Sequence, residues 1–348
     1  MSQVQKIALD IMGGDYGPTV IIPAAARALK KNENIQFLMF GDEKVAKPLL
    51  DRYPALKAKT SLTHTDSVIS PTDKPSVALR NGKGSSMRLA IEAVKDGAAD
   101  GVVSAGNTGA LMAMSKLLLK CLPGINRPAI ASVMPNRKGQ SVVLDLGANL
   151  VCDAEVLTQF AVLGAVYARV VQGIPNPKVG LLNVGTEEMK GHEEIRSASA
   201  ILSDVEFPGT YYGFIEGDDI TKGTTDVVVT DGFTGNIMLK TAEGIGKLSK
   251  YYLTGAFKSS PLAMLGYLLS RGAIERMKNK IDPRKYNGGM FLGLNGICVK
   301  SHGNSDELAT ENAIIVAADL VRNGFNDRVA SEIEQLMSQE SFVSVVGV

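Results

Sequence analysis

Residues Asp226–Gly246 have the sequence D-V-V-V-T-D-G-F-T-G-N-I-M-L-K-T-A-E-G-I-G. The three valines predict a short buried strand, because β-branched side chains suit an enclosed, pleated surface. The polar turn Asp231–Asn236 then leads into a helix whose apolar spacing begins at Ile237. In open α/β sheets, ligands bind where strands end and helices begin, and the free N–H groups of a helix start favour an anion. This stretch therefore predicts a site for a phosphate or an oxyanion.

The same order of strand, polar turn and helix recurs along the chain. It follows the predicted strands Val4–Met12, Gly101–Ser104 and Pro177–Asn183, and further polar turns follow Val142–Leu146 and Asn287–Lys300. This alternation predicts a three-layer α/β/α fold with a mainly parallel, twisted sheet. Because right-handed crossovers place strand ends along one edge, we expect the polar turns to converge there.

The length, composition and net charge of the chain exclude several classes of protein. The chain has 348 residues, a net charge of +1 and 45% hydrophobic residues, which is unlike the basic composition of nucleic-acid-binding domains. Neither a signal peptide nor an apolar run of membrane-spanning length is found, and the three scattered cysteines suit a reducing cytoplasm. We expect residues 1–348 to form a single unit with a protruding helical segment at about 245–285.

The side chains of the predicted turns are mostly neutral hydrogen-bond donors with a few cations. Such a set suits a phosphate or a developing negative charge. Each residue also has a structural alternative, such as a helix cap for Asn236, a surface lysine for Lys190 or a plain loop residue for His302. The turn residues are Asp10, Asp15, Ser104, Asn107, Thr108, Arg127, Asn149, Lys190, Asp231, Thr234, Asn236, His302 and Asn304.

Some well-known catalytic motifs are missing from the sequence. It contains no G-x-S-x-G nucleophile turn, no phosphate loop with a Walker lysine and no G-x-G-x-x-G dinucleotide fingerprint. The acids Glu216, Asp218 and Asp219 share one turn, which is more typical of a solvated loop or a helix cap than of a Mg²⁺ site. We therefore expect no metal and no cofactor, and direct attack of a bound phosphate on a carbonyl fits best.

Long motifs throughout the chain resemble one known family. They are I-A-L-D-I-M-G-G-D-Y-G-P, S-A-G-N-T-G-A-L-M-A, L-P-G-I-N-R-P-A-I-A, L-D-L-G-A-N, L-L-N-V-G-T-E-E-M-K-G, T-D-G-F-T-G-N and S-H-G-N-S-D. In this order they resemble the bacterial phosphate acyltransferases of phospholipid synthesis. The turn L-P-G-I-N-R-P-A also looks like the arginine-proline turn of phosphotransacetylase.

The resemblance implies an activity and a set of partners. It implies transfer of an acyl group from acyl carrier protein to inorganic phosphate, giving an acyl phosphate for a membrane glycerol-3-phosphate acyltransferase. It also implies a homodimer with a fold similar to isocitrate and isopropylmalate dehydrogenases and shared with phosphotransacetylase. A cytoplasmic location follows, including a peripheral position on the inner face of the membrane.

The resemblance also implies residue roles. Asp10, Gly13, Gly14 and Asp15 would shape the acyl-phosphate pocket, with Ser104, Asn107 and Thr108 facing the ligand from a helix start. Lys190 would neutralise the phosphate or the thioester oxyanion, and Asn236 would donate to the same group. Which of these two groups each residue contacts stays open.

Other interpretations remain at this stage. The apolar and then basic segment Leu262–Lys285 suits a dimer interface, a contact with anionic lipid, or a surface for the acidic carrier protein. An NAD-dependent decarboxylating dehydrogenase and a non-catalytic scaffold are rival functions. The missing dinucleotide fingerprint and metal-binding carboxylates argue against the dehydrogenase.

Overall fold

The computed structural model describes residues 4–282, 284 and 288–339. Lys285 and Asn287, which bound two of the predicted segments, lie outside this part. The strands are β1 (Gln5–Asp10), β2 (Ile35–Gly41), β3 (Thr60–His64), β4 (Gly101–Ser104), β5 (Ala129–Asn136), β6 (Gly139–Leu144), β7 (Lys178–Leu182), β8 (Thr210–Ile215), β9 (Val227–Val229), β10 (Gly289–Leu292) and β11 (Ile297–Lys300).

Helices connect most of these strands, which confirms the predicted alternation. They are α1 (Pro18–Lys31), α2 (Glu43–Leu50), α3 (Pro54–Lys57), α4 (Pro75–Asn81), α5 (Ser86–Lys95), α6 (Thr108–Leu119), α7 (Ala154–Val171), α8 (Glu193–Asp204), α9 (Gly217–Lys222), α10 (Gly232–Lys258), α11 (Pro261–Ile281), α12 (Glu307–Arg322) and α13 (Phe325–Met337).

The strands form one mixed sheet in the order β3-β2-β1-β4-β11-β10-β5-β6-β9-β7-β8. Strands β1–β4 and β11 are parallel to one another, and β6–β9 are parallel to one another. Three antiparallel pairings, β11 with β10, β10 with β5 and β5 with β6, separate these two halves. The second half therefore runs opposite to the first.

This reversal corrects one expectation. The polar turns do not all follow strands of one direction, because the pairing of β5 with β6 is an antiparallel hairpin that turns the second half over. The turns form two groups, one after β1, β4 and β11 and one around β5, β6, β7 and β9. The sequence analysis missed this hairpin, in which only Arg137 and Lys138 separate the paired residues Asn136 and Gly139.

Helices cover both faces of the sheet, as predicted. Alternate residues of β1 show this: Ile7 and Leu9 pack in the cluster that contains α1, α7 and α12, whereas Ala8 packs in the cluster of α4, α5 and α6. Helix α7 is apolar and long enough to cross a membrane, but most of it is buried within this core. The predicted three-layer α/β/α class is confirmed.

The start of α10 differs from the prediction. The helix begins at Gly232 instead of at Ile237, because Asp231 is its N-cap and accepts a hydrogen bond from the Thr234 amide at 2.9 Å. Asn236 therefore lies inside the first turns of the helix, and its interpretation as a helix cap was wrong. Glu216 and Asp219 form a capping box at α9, in agreement with the predicted cap.

Helices α10 and α11 form an exposed hairpin. The ring of Phe257 on α10 packs edge-to-face on Tyr267 of α11, with centroids 5.3 Å apart. Many apolar side chains of the hairpin face outward: Leu262 is 78% exposed and Leu269 is 82% exposed. The hairpin covers much of the segment that the sequence predicted to protrude.

Candidate functional site

Asp10 organises the first group of turns. Its carboxylate is buried at the end of β1 and accepts hydrogen bonds from Ser86 Oγ and Ser104 Oγ, both at 2.6 Å. Burial raises the pKa of Asp10, while these hydroxyls and the amides of Met12 and Gly13 act in the opposite direction. With its acceptors occupied, Asp10 fixes the turn and does not face the cavity.

Gly13 lets two turns approach each other closely. A Cβ added at this position would lie 2.6 Å from Asp10 Oδ2 and 2.7 Å from the amide nitrogen of Gly106. Any larger residue would push the turn after β1 away from the turn after β4. The G-G-D motif is therefore explained by packing at Gly13.

The turn after β4 begins helix α6. Asn107 is its N-cap: its side-chain oxygen accepts from the Ala110 amide at 3.0 Å. Its NH₂ group donates to the carbonyl oxygens of Pro71 and Asp73, both at 2.9 Å, and so holds the loop before α4. The side chain of Asn107 thus anchors a loop, while the amides of Thr108 and Gly109 lack the carbonyl partners of a helix interior.

A cavity of about 330 Å³ lies between these turns. Of the predicted residues, Gly14, Asp15, Asn107 and Thr108 line it. Ser104 is buried and its hydroxyl is bound to Asp10, so it supports the wall from behind. The structure therefore brings Gly14, Asp15, Asn107 and Thr108 to one cavity, with Ser104 behind its wall.

Lys300 lines the same cavity and was not predicted. It ends β11, in register with Ser104, which is itself in register with Asp10. Burial lowers the pKa of Lys300 to about 8, although the charges of Asp10 and Asp15 partly counteract this effect. At neutral pH the group still carries its charge in most molecules.

His302 and Asn304 follow β11 in an exposed turn. Between them, the carbonyl of Gly303 accepts from the Asp15 amide at 2.8 Å, which joins this turn to the turn after β1. Burial and the charge of Lys300 lower the pKa of His302, whereas Glu243 acts in the opposite direction.

Asp145 organises the second group of turns. It is fully buried directly after β6 and accepts hydrogen bonds from the amides of Ile130, Gly147, Ala148 and Asn149 at 2.7–3.2 Å. Its Oδ2 also accepts from Asn149 Nδ2 at 2.9 Å. Burial raises the pKa of Asp145 despite these bonds.

The start of α10 packs directly on this turn. The Gly232 amide donates to the Asn149 carbonyl at 2.7 Å, and a Cβ on Gly235 would lie 1.9 Å from the Asp145 carbonyl oxygen. Asp231 and Thr234 bind each other, with 2.8 Å between Thr234 Oγ1 and Asp231 Oδ2. These two residues build the helix start.

Asn236 remains exposed beside the turn after β6. A Cβ on Gly147 would lie 3.6 Å from its Oδ1, so the amide lies over that glycine. Lys190 is also exposed, in the turn after β7, and its stem lies close to Gly185. Because β9 pairs with both β6 and β7, these two turns follow the strands on either side of β9.

Arg127 lies next to this group, in the turn before β5. Its Nη1 donates to the Val151 carbonyl at 3.2 Å, and the guanidinium is exposed. The neighbouring Asn149 donates from Nδ2 to the Pro128 carbonyl at 2.8 Å, which fixes the arginine-proline turn to Asp145. The second group thus contains Arg127, Lys190 and Asn236 as exposed donors.

Helix α10 links the two groups of turns. Asn236 lies near its start, and Lys240 is one turn further along the same side, about 6 Å away. Asn236 of α10 thus lies beside the second group, and the charges of Lys240 and Glu243 act on His302 of the first.

The thiols are not nucleophiles. Burial raises the pKa of Cys152 to about 12, with further contributions from Asp145 and Asp231. Burial likewise raises the pKa of Cys298 to about 12. Burial also raises the pKa of Cys121. All three stay protonated at neutral pH, and a protonated thiol is a poor nucleophile.

Known proteins similar to this chain identify its family. A family model described as "Fatty acid synthesis protein" matches residues 5–328. A phosphate acyltransferase of Rhodospirillum centenum is 55% identical over 97% of this chain and 95% of the relative. One of Rhodospirillum rubrum is 53% identical over 99% of each. The chain belongs to the phosphate acyltransferase family. It is an enzyme, an acyltransferase of lipid biosynthesis.

Solved structures support the same fold. A phosphotransacetylase from Staphylococcus aureus covers 91% of this chain with a TM-score of 0.62 and 17% identity. A phosphotransacetylase from Streptococcus pyogenes covers 91% with a TM-score of 0.62 and 19% identity. At this identity the similarity establishes the architecture, which agrees with the fold that the motifs implied.

Two residues of the candidate site, Lys300 and Asp145, escaped the sequence analysis. Lys300 was assigned to a strand without a role, because nothing in V-K-S-H indicates that it ends beside Asp10 and Ser104. Asp145 lies in the quoted motif L-D-L-G-A-N, but the residues alone do not indicate how many amides it binds. A charged residue at a strand end was the available signal in both cases.

Proposed function

We propose that the protein transfers a fatty acyl group from the thioester of acyl carrier protein to inorganic phosphate. The observation that carries this proposal is the pair of turn groups beside α10. One encloses a cavity suited to an anion, and the other presents Arg127, Lys190 and Asn236 as exposed donors. The reaction has two substrates, and each group of turns offers hydrogen-bond donors for one of them.

The reaction needs no covalent intermediate on the enzyme. An oxygen of hydrogen phosphate attacks the thioester carbonyl carbon, and the carbonyl oxygen becomes an oxyanion. When the intermediate collapses, the carbon–sulfur bond breaks and the electron pair leaves on sulfur. The proton that the phosphate carried ends on that thiolate, so the products are an acyl phosphate and a free thiol.

Lys190 and Asn236 are the residues that we assign to the oxyanion. Lys190 lies in the turn after β7, and Asn236 lies on the helix that follows β9, the strand paired with β7; both side chains are exposed. Donors fixed before the reaction stabilise negative charge that develops in the transition state, since they need no reorganisation. Raised pKa values at Cys152 and Cys298 agree with a mechanism without an enzyme thiol.

The α10–α11 hairpin is the surface that we assign to larger partners. Its outward apolar side chains and the exposed Arg271 and Arg276 suit a homodimer contact, anionic lipid or the acidic carrier protein. We propose a homodimer in the cytoplasm that works at the inner face of the membrane. There its acyl phosphate would reach a membrane glycerol-3-phosphate acyltransferase.

Hydroxylamine trapping tests the proposed reaction. The purified protein is incubated with acyl-loaded carrier protein and phosphate, and acyl phosphate is captured as the hydroxamate. We expect hydroxamate that requires both the protein and phosphate. If hydroxamate forms equally without phosphate, or does not form at all, the proposed function is wrong. Reactions with acyl-coenzyme A in place of the loaded carrier protein show whether the carrier is required.

A further inference from the structure

The ammonium group of Lys300 faces the cavity described above. The proposed reaction scheme does not assign this group a role. Its Nζ donates to the Ala105 carbonyl at 3.1 Å and to the Ser301 carbonyl. A lysine ammonium has three donors, and within residues 4–282, 284 and 288–339 a third acceptor is not found. One N–H is therefore left for a ligand in the cavity.

The charge of Lys300 is less favourable at this position than in water. Burial disfavours the ammonium, and the nearby carboxylates of Asp10 and Asp15 restore only part of the lost stabilisation. Asp10 is already bound by two hydroxyls and two amides. An anion in the cavity would supply the missing interaction, so the environment of Lys300 suits an occupied state.

The opposite wall adds neutral donors. The amides of Thr108 and Gly109 open helix α6, where the helix dipole also favours negative charge. Asn107 does not compete for the ligand, because its side chain is bound to Ala110 and to the loop before α4. The ammonium and two amides thus border one concave space.

Asp15 gives the cavity a selective feature. Its side chain also lines the cavity, and a Cβ on Gly303 would lie 3.6 Å from its Oδ1. An ionised carboxylate can only accept hydrogen bonds, so it repels an anion without protons such as sulfate. Hydrogen phosphate differs, because its P–OH group can donate to that carboxylate while its other oxygens accept.

We propose that this cavity binds hydrogen phosphate between Lys300, the first amides of α6 and Asp15. Lys300 and the amides hold the unprotonated oxygens, and Asp15 accepts from the hydroxyl. That this phosphate is the acyl acceptor rests on the proposed function. The assignment then separates the roles: Lys300 binds phosphate, and Lys190 with Asn236 serve the thioester oxygen.

Direct binding is the first test. Equilibrium dialysis of the full chain with labelled inorganic phosphate, without an acyl donor, compares the parent with Lys300→Met. We expect about 10-fold weaker binding or more, the effect of losing one charge-assisted hydrogen bond. Lys138→Met removes an exposed lysine from the β5–β6 turn and should bind as the parent does. Lys300→Arg should recover part of the affinity.

Equal affinity in the parent and in a folded Lys300→Met protein would overturn the proposal. Thermal unfolding of each variant establishes that it is folded. Where Lys300→Met does not fold, the same comparison is made with Lys300→Arg and Lys300→Gln, and unchanged affinity in both overturns it equally.

Selectivity is the second test. Sulfate should compete poorly against labelled phosphate in the parent, and it should compete better in Asp15→Asn. Sulfate that competes as well as unlabelled phosphate in the parent would contradict the role of Asp15.

Kinetics separate a failure of this site from a failure of the proposed function. We expect Lys300→Met to raise the KM for phosphate about 10-fold while kcat stays within a few-fold. If the parent forms acyl phosphate and Lys300→Met leaves that KM unchanged, the site fails and the function stands. If no acyl phosphate forms but phosphate binding depends on Lys300, the site stands and the function fails.

Discussion

Asp145 holds the turn after β6 as Asp10 holds the turn after β1. Each is a buried carboxylate at the end of a strand, and each accepts hydrogen bonds from the turn that follows it. They differ in their other partners, which are two serine hydroxyls for Asp10 and the amides of Ile130 and Asn149 for Asp145. The two halves of the sheet run in opposite directions. In each half, one buried carboxylate at a strand end fixes the turn that follows it.

Asp145→Asn should destabilise the fold. The amide NH₂ would face backbone N–H groups that now donate to a carboxylate oxygen, so at least one buried donor would lose its acceptor. We expect a loss of about 1–3 kcal/mol in the free energy of unfolding, measured by urea denaturation. Asp66→Asn, at an exposed loop position, is the matched control and should change it little. Equal stabilities of the two variants would show that the Asp145 network contributes nothing.

Lys190→Ala and Asn236→Ala should each lower kcat about 100-fold, the usual effect of removing one oxyanion donor. Because we assign both to the thioester oxygen, the KM for phosphate should stay close to that of the parent. Steady-state formation of acyl hydroxamate measures both constants. Lys138→Ala serves as the control lysine. If the turnover of a variant stays within a few-fold of the parent, the replaced residue has no role in the mechanism.

Much of the fold followed from the sequence because its signals are local. The three valines of β9, the strand Gly101–Ser104 and the cap at Glu216 and Asp219 are set by neighbouring residues, and they were predicted correctly. The reversal of the sheet depends instead on pairing between distant strands. Asn236 was misplaced for a different, local reason: Asp231 accepts from the Thr234 amide and so begins the helix earlier.

In the candidate site, too, the residues that depend on distant parts of the chain were not predicted. The turns that bear Asp15, Thr108, Lys190 and Asn236 were found as polar breaks between apolar segments. Lys300 was not found, because it ends a strand and its role depends on register with Ser104 across two chain segments. Burial, which lowers the pKa of Lys300, is likewise a property of the packed structure.

Glu311 should make stability depend on pH. This buried carboxylate of α12 accepts from Arg27 Nε at 2.5 Å and from Lys31 Nζ at 2.6 Å, both on α1. Burial alone would raise the pKa of Glu311, but the two cations outweigh it and the pKa is lowered from 4.5. A carboxyl group with a lowered folded-state pKa stabilises the fold above its unfolded pKa and loses this effect as the pH falls.

Glu311→Gln should therefore cost about 1–2 kcal/mol at pH 7, near the low end for charged hydrogen bonds because both cations are half exposed. The difference from the parent should shrink as the pH falls below about 4.5, the unfolded value, toward the lower folded-state pKa of Glu311. Urea denaturation at several pH values measures it, with the exposed Glu33→Gln as control. A difference that stays constant through the acid range would refute the ion-pair explanation.

The α10–α11 hairpin offers three partners, and two variants distinguish them. Leu265→Asp places a charge among the outward apolar side chains, where Leu265 is 52% exposed. It should dissociate a homodimer if the hairpin is the dimer contact, which light scattering after gel filtration measures. Arg271→Glu with Arg276→Glu reverses the exposed basic charge instead. It should weaken sedimentation with anionic vesicles if the hairpin meets lipid, because each basic residue near such a surface contributes about 1 kcal/mol.

The carrier protein is separated from lipid by the reaction in the absence of vesicles. If the basic side chains meet the acidic carrier protein, the double reversal should raise the KM for acyl-loaded carrier protein without vesicles present, and the increase should diminish at high salt because exposed charges are screened. If they meet lipid, that KM stays unchanged while vesicle binding falls. Unchanged dimerisation, vesicle binding and KM in all of these variants would exclude the hairpin from all three roles. The exposed Leu262 and Leu269 would then need another explanation.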